Sequence, residues 1–176
     1  MTTATALVAG LGSAHGDDQA GWLAVDHLNV LLSAGLGSGI RVDARRISSP
    51  IDLLTLLAEY PRVLICDALQ CSPAAASQDC LCVELPQPWT AQSLADCFSP
   101  ATSPRTGTHG IGLFEVLQIA QFQLQLSSHL PRVKLFGIPA SDFSAFACPS
   151  PATINSARRV AEQMLLELVV PCDASI

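Results

Sequence analysis

Basic residues are scarce in this sequence. Nine Lys and Arg face fifteen Asp and Glu for a net charge of −6, no block of basic residues gathers, and aromatics make up 5%. With neither a positive footprint nor stacking platforms, nucleic acid is excluded as an expected partner. Charged residues of both signs reach only 14% against 49% hydrophobic, which excludes a disordered chain. No apolar run attains the roughly 20 residues that a bilayer requires, and the opening "MTTATALVAG" lacks the basic start of a signal peptide. The expectation is a cytoplasmic protein without a membrane partner. The seven cysteines form no CxxC pair and are odd in number, so reduced thiols, mostly buried as small hydrophobes, are expected. Cys80 and Cys82 alternate at strand period and could offer two soft ligands to a metal, but no further Cys or His stands at metal-site spacing beside them.

The 176 residues suit one domain, spanning residues 1–176. "ATALVA" reads as a buried strand, and apolar positions at Trp22, Val25, Leu28, Leu31 and Leu32 continue it as a helix. "IRVDARRI" reads as a second strand, "SPIDLLTLLAEY" as a helix, and "RVLICDAL" as a central parallel strand ending at Asp67. After a small-residue loop, Gln70 to Asp79, "CLCVEL" reads as a further strand, at an edge. "PQPWTAQSLADCFSPATSPRTG" is a long connection, "THGIGLFEVLQIAQFQLQL" a helix capped near Thr108, "RVKLFGI" the last strand and "SPATINSARRVAEQMLLELVV" an amphipathic terminal helix. Alternation of this kind predicts an α/β fold: a single doubly wound, mostly parallel sheet with helices on both faces.

Ligands of such sheets bind at the carboxyl ends of the strands. Asp17 and Asp18 follow the first strand, Asp67 closes a central one, and His109 opens the helix after the long loop. Carboxylates and an imidazole suit a divalent metal such as Ni, Zn or Mn with open positions. Singly, each has a plainer role: Asp17 and Asp18 favoured by a helix N-terminus, Asp67 turning the chain, His109 as a cap or surface residue. "GLGSAHG" supplies Gly10, Gly12 and Gly16 as GxGxxxG, which is not the dinucleotide fingerprint, and two adjacent carboxylates repel pyrophosphate. Nucleotide binding is not expected. A GxSxG elbow is absent, no Cys adjoins a His, and no Arg or Lys stands near the loop for a small-molecule hydrolase or phosphorylase.

"GLGSAHGDDQAGWLAVDHL", "VLICDAL", "THGIGLFEVLQIA" and "VKLFGIPASDF" resemble, in order and spacing, the hydrogenase maturation proteases, with their GxGN, D(D/E)GxG, VDA-strand and SHG motifs. The resemblance runs from about Leu7 to the terminal helix. It implies a phosphorylase/hydrolase-like α/β fold and a nickel-dependent endopeptidase that trims the C-terminal extension of a [NiFe] hydrogenase large-subunit precursor once nickel is inserted. It implies metal contacts from Asp18, Asp67 and His109, with nickel borne by the substrate and another divalent metal acceptable in isolation. Asp17, beside the ligand Asp18, is then a candidate general base or supporting partner, so Asp17 and Asp18 form the catalytic pair. His15 could also approach the metal or face solvent.

Three departures from the pattern stand out: Ser13 in place of Asn, a loop shorter by about one residue, and Gln19 in place of Gly. Gln19 requires an ordinary helical or extended backbone there. The loop from Pro86 to Thr106 is expected to help dock the precursor, and a monomer is expected. The competing expectation is a non-catalytic nickel-binding, chaperone-like maturation factor using the same ligands.

Overall fold

The structure is a computed structural model that describes residues 6–37, 39, 41–70, 80–86, 90, 92, 112–125 and 130–169. Strand β1 (Ala6–Leu11) is buried along its whole length because it lies inside the sheet with helices on both faces. Its neighbours are β2 (Val42–Ile47) on one side and β3 (Arg62–Gln70) on the other, both parallel to it. Strand β5 (Arg132–Ala140) pairs parallel with β3, and β4 (Leu81–Glu84) closes that edge antiparallel to β5, giving the order β2-β1-β3-β5-β4. The mostly parallel α/β sheet is therefore the one that the alternating pattern predicts.

Period-2 alternation sorts the strand residues to two cores. Leu7, Ala9, Leu11, Val63, Ile65 and Val133 pack with α2 (Leu53–Glu59) and α3 (Leu113–Gln125). Ala6, Val8, Leu64, Cys66, Phe136 and Ile138 pack with α1 (Ala20–Ser33) and α4 (Pro151–Val169). Edge strand β2 turns Arg45 and Arg46 outward, where they pair with Asp43 and Asp26, a charged rim that discourages further strand pairing.

The β1-to-α1 passage is tight. A Cβ on Gly21 would lie 2.2 Å from the Leu11 carbonyl oxygen and 2.5 Å from that of Cys66, so only glycine lets the helix start this close to the sheet. The Trp22 indole N–H donates to the Ile47 carbonyl at 3.1 Å and fixes α1 to β2.

Two expectations are corrected. Asp67 does not end its strand: β3 continues to Gln70, because β5 is equally long and pairs with it through Gln70↔Ala140. The first strand runs to Leu11 and not to Ala9, since β2 supplies partners for Gly10 and Leu11. The Thr108 cap and nearly all of the Pro86–Thr106 connection lie outside the described residues. Among the described residues, no helix is long and apolar enough to cross a membrane.

Candidate functional site

Crossovers leave β1 toward β2 on one side while β3 lies on the other, so the carboxyl end of β1 is a topological switch point, where such sheets hold ligands. There the chain passes through Gly12 and Ser13 into a 3₁₀ turn, Gly16–Gln19, before α1. A Cβ on Gly12 would meet the Asp18 carbonyl oxygen at 2.3 Å, and Gly16 has φ +50 with the Asp142 carbonyl oxygen 2.3 Å from where its Cβ would be. Both glycines are needed for the turn to fold back on itself and against a second loop.

The two aspartates of the turn have different surroundings. Asp17 is fully buried. Its Oδ2 accepts the backbone N–H of Ser141 at 3.0 Å and of Asp142 at 3.1 Å, and its Oδ1 accepts that of Ser150 at 2.6 Å. Burial pushes its carboxyl up, but the N–H groups of Ser141, Ser150 and Asp142 outweigh that and hold it below the usual carboxylate range. Its own N–H donates to the Asp142 carbonyl at 2.6 Å. Asp18 is half-buried, and its Oδ2 accepts the Ser13 hydroxyl.

Asp67 sits on β3 one residue beyond the last β1–β3 pair, Gly10↔Cys66, so its carboxylate borders the switch point. It shares the sheet face of Val63 and Ile65, toward α2 and α3. Burial pushes its carboxyl up to about 7; the bond from the Ala68 N–H at 2.8 Å opposes this, and the charge of Asp18 adds to the rise. The sheet thus brings Asp18 and Asp67 within electrostatic reach of each other. Two carboxylates so placed suit a cation, whose charge would favour the ionised form of Asp67.

His109 lies outside the described residues. Among the described residues no group of three His, Cys, Asp or Glu is arranged to hold a metal, so Asp18 and Asp67 stand as a pair, and Cys80 and Cys82 gain no third ligand. The Cys80 thiol donates to Gln163 Oε1 at 2.9 Å and Cys82 is exposed. Cys66 is buried beside Asp67, where burial pushes its thiol well up; an inert structural thiol results.

His15 is partly buried and does not simply face solvent. Its Nδ1 accepts the Phe146 N–H at 3.1 Å, and the two rings meet edge to face with centroids 5.1 Å apart. Gln19 has φ −72 and ψ −5, an ordinary helical backbone, and its amide donates to the Gly16 and Ala147 carbonyls at 3.2 and 3.3 Å. Asp17, His15 and Gln19 therefore all bind the segment Ser141–Ser150, the second wall of the site. Sequence reasoning assigned that segment no role. Its one local signal is Asp142, whose Oδ1 accepts the Ser144 N–H at 2.9 Å and hydroxyl at 2.6 Å, an Asx turn readable from D-x-S.

No protein-family model matches the chain, and none of the curated proteins matches it significantly. Solved structures are similar to it in fold. The hydrogenase maturating endopeptidase HybD from E. coli superposes with a TM-score of 0.64 at 18% identity, covering 93% of this chain and 91% of that one. The [NiFe] hydrogenase maturation protease HycI from Thermococcus kodakarensis KOD1 gives 0.60 at 19% identity, with coverage of 93% and 91%. The hydrogenase 2 maturation peptidase from Thaumarchaeota archaeon SCGC_AB-539-E09 gives 0.58 at 24%, with coverage of 93% and 97%. Over almost its whole length the chain has the fold of the hydrogenase maturation proteases, the family that its motifs resemble.

Proposed function

We propose that this protein is an endopeptidase that removes the C-terminal extension of a [NiFe] hydrogenase large-subunit precursor after nickel insertion. The observation that carries this reading is the Asp18–Asp67 carboxylate pair at the switch point of a sheet shared with hydrogenase maturation proteases. Nickel is part of the substrate on this reading, and Asp18, Asp67 and His109 complete its coordination from the protease side. Held there, a divalent ion would polarise a carbonyl or lower the pKa of a bound water toward ~7. Ser13 orients the Asp18 carboxylate through its hydroxyl.

Asp17 is a positioning residue and not the base, because its carboxylate is buried and already accepts three backbone N–H groups. The protein acts in the cytoplasm as a monomer.

The test is the intact mass of the nickel-loaded precursor before and after incubation with the wild type, with Asp18→Asn and with His109→Ala. Loss of a C-terminal peptide with the wild type alone supports the reading. An unchanged mass with all three, together with nickel binding by the wild type, would replace it with a nickel-binding maturation factor that does not cut.

A further inference from the structure

Phe146 is placed against the ordinary rules of packing. Its φ of 56 puts a non-glycine residue in the left-handed region, at a cost of about 1 kcal/mol, and it alone does so among the described non-glycine residues. Strain of this kind persists only where the surrounding structure holds the backbone, and the Phe146 side chain does not supply that hold, being 83% exposed. Its backbone is nevertheless held firmly. The Phe146 N–H donates to His15 Nδ1, the neighbouring Ala147 carbonyl accepts from Gln19 and from the Gly16 N–H, and Asp17 binds both ends of the segment. The fold fixes the ring's position while leaving its face in water.

That position adjoins the site. The His15 that receives the Phe146 N–H also accepts the Asp18 N–H on its carbonyl at 2.9 Å, so one hydrogen-bonded residue separates the ring from Asp18. Ala145 and Ala147 flank it in the chain, Phe143 three residues before is also exposed, and the exposed carboxylate of Asp142 accepts the Ser144 N–H and hydroxyl. The exposed ring itself is apolar, and a pre-positioned aromatic of this kind is a typical anchor for a partner's side chain.

We infer that Phe146 is a specificity-determining residue that receives an apolar side chain of the precursor's C-terminal segment as that segment crosses the Asp18–Asp67 site. The inference rests on the protease reading for the identity of its occupant. His15, Gln19 and Asp17 serve it by holding the ring out before the precursor arrives, so no ordering of the loop is charged against binding.

Phe146→Gly separates anchoring from folding, because glycine accepts the left-handed backbone freely and keeps the loop while removing the ring. Processing of nickel-loaded precursor is measured as kcat and KM for the wild type, Phe146→Gly and Phe146→Leu. Binding of nickel-free precursor, uncut on this reading, is measured alongside, with Tm as the fold check. The expected result for Phe146→Gly is a KM and a dissociation constant raised about tenfold, kcat little changed and Tm not lowered, with Phe146→Leu recovering most of the loss. Wild-type KM and binding in Phe146→Gly would overturn the inference while leaving the protease reading intact. A wild-type dimer that Phe146→Gly splits would also overturn it, by showing that a second copy covers the ring. If the wild type binds precursor without cutting it, the protease reading fails and the binding ratio alone decides the anchor. A wild type that neither binds nor cuts overturns both.

Discussion

The carboxylate of Asp17 takes the backbone N–H of Ser150 at 2.6 Å, joining residues 133 positions apart in the chain. With the Ser141 and Asp142 N–H groups on its other oxygen, it closes the site by hydrogen bonding alone.

Asp17→Asn should therefore destabilise the fold. An amide can turn only one oxygen to these donors and leaves at least one buried N–H facing NH₂, a loss on the order of 2–3 kcal/mol. Denaturant melts would register it. Activity lost with full stability would instead return Asp17 to a chemical role.

The same carboxylate sets an acid limit. Its folded value lies below the usual 3.8, so the stabilisation is fully present above 3.8 and is lost as pH falls through the lower folded value. Wild-type stability should drop through that window more steeply than that of Asp17→Asn.

Asp67 works with the opposite sign. Its folded carboxyl, pushed up to about 7, keeps a proton that the unfolded chain releases near 3.8, so stability falls as pH rises between those values and then levels. Asp67→Asn lacks this slope and should be the more stable protein above about pH 7 in the absence of metal. Adding nickel ions there should raise the Tm of the wild type and leave that of Asp67→Asn unchanged; equal shifts would place the ion elsewhere.

Ser13→Ala removes the hydroxyl that holds Asp18 Oδ2. Because a lost supporting hydrogen bond typically weakens metal affinity by about 10–100-fold, nickel titration should show a loss in that range with little change in Tm.

Gly21→Ala should cost about 3 kcal/mol or more, since the new Cβ would lie 2.2 Å from one carbonyl oxygen and 2.5 Å from another. Gly35→Ala meets nothing within 4 Å and suffers only from its φ of +84, about 1 kcal/mol. Thermal melts of the pair separate backbone crowding from backbone strain.

The sheet was legible in the sequence because β3 is a continuous apolar run and the helices carry their periodicity openly. Where β3 stops was not, since Ala68 to Gln70 are strand only by virtue of β5 beside them. Asp18 and Asp67 were singled out by asking what lies at strand ends, although β3 in fact runs three residues past Asp67. The division between Asp17 and Asp18 was hidden, because adjacent residues of one type are told apart only by a loop that arrives from Ser141 onward. The same holds for His15, whose partner Phe146 lies 131 positions away. His109 lies outside the described residues.

In the sheet, β5 is inserted between β3 and β4, although it follows both in the chain. During synthesis, β4 therefore emerges with no strand to join, and β3 keeps a raw edge, until Arg132–Ala140 leaves the ribosome and fills the gap. The residues that complete the site wall, Ser141 to Ser150, come immediately after. A ribosome-bound fragment ending before β5 would hold Asp18 and Asp67 without the Ser141–Ser150 segment beside them, so the sheet is completed and the wall of the candidate site is added together and late.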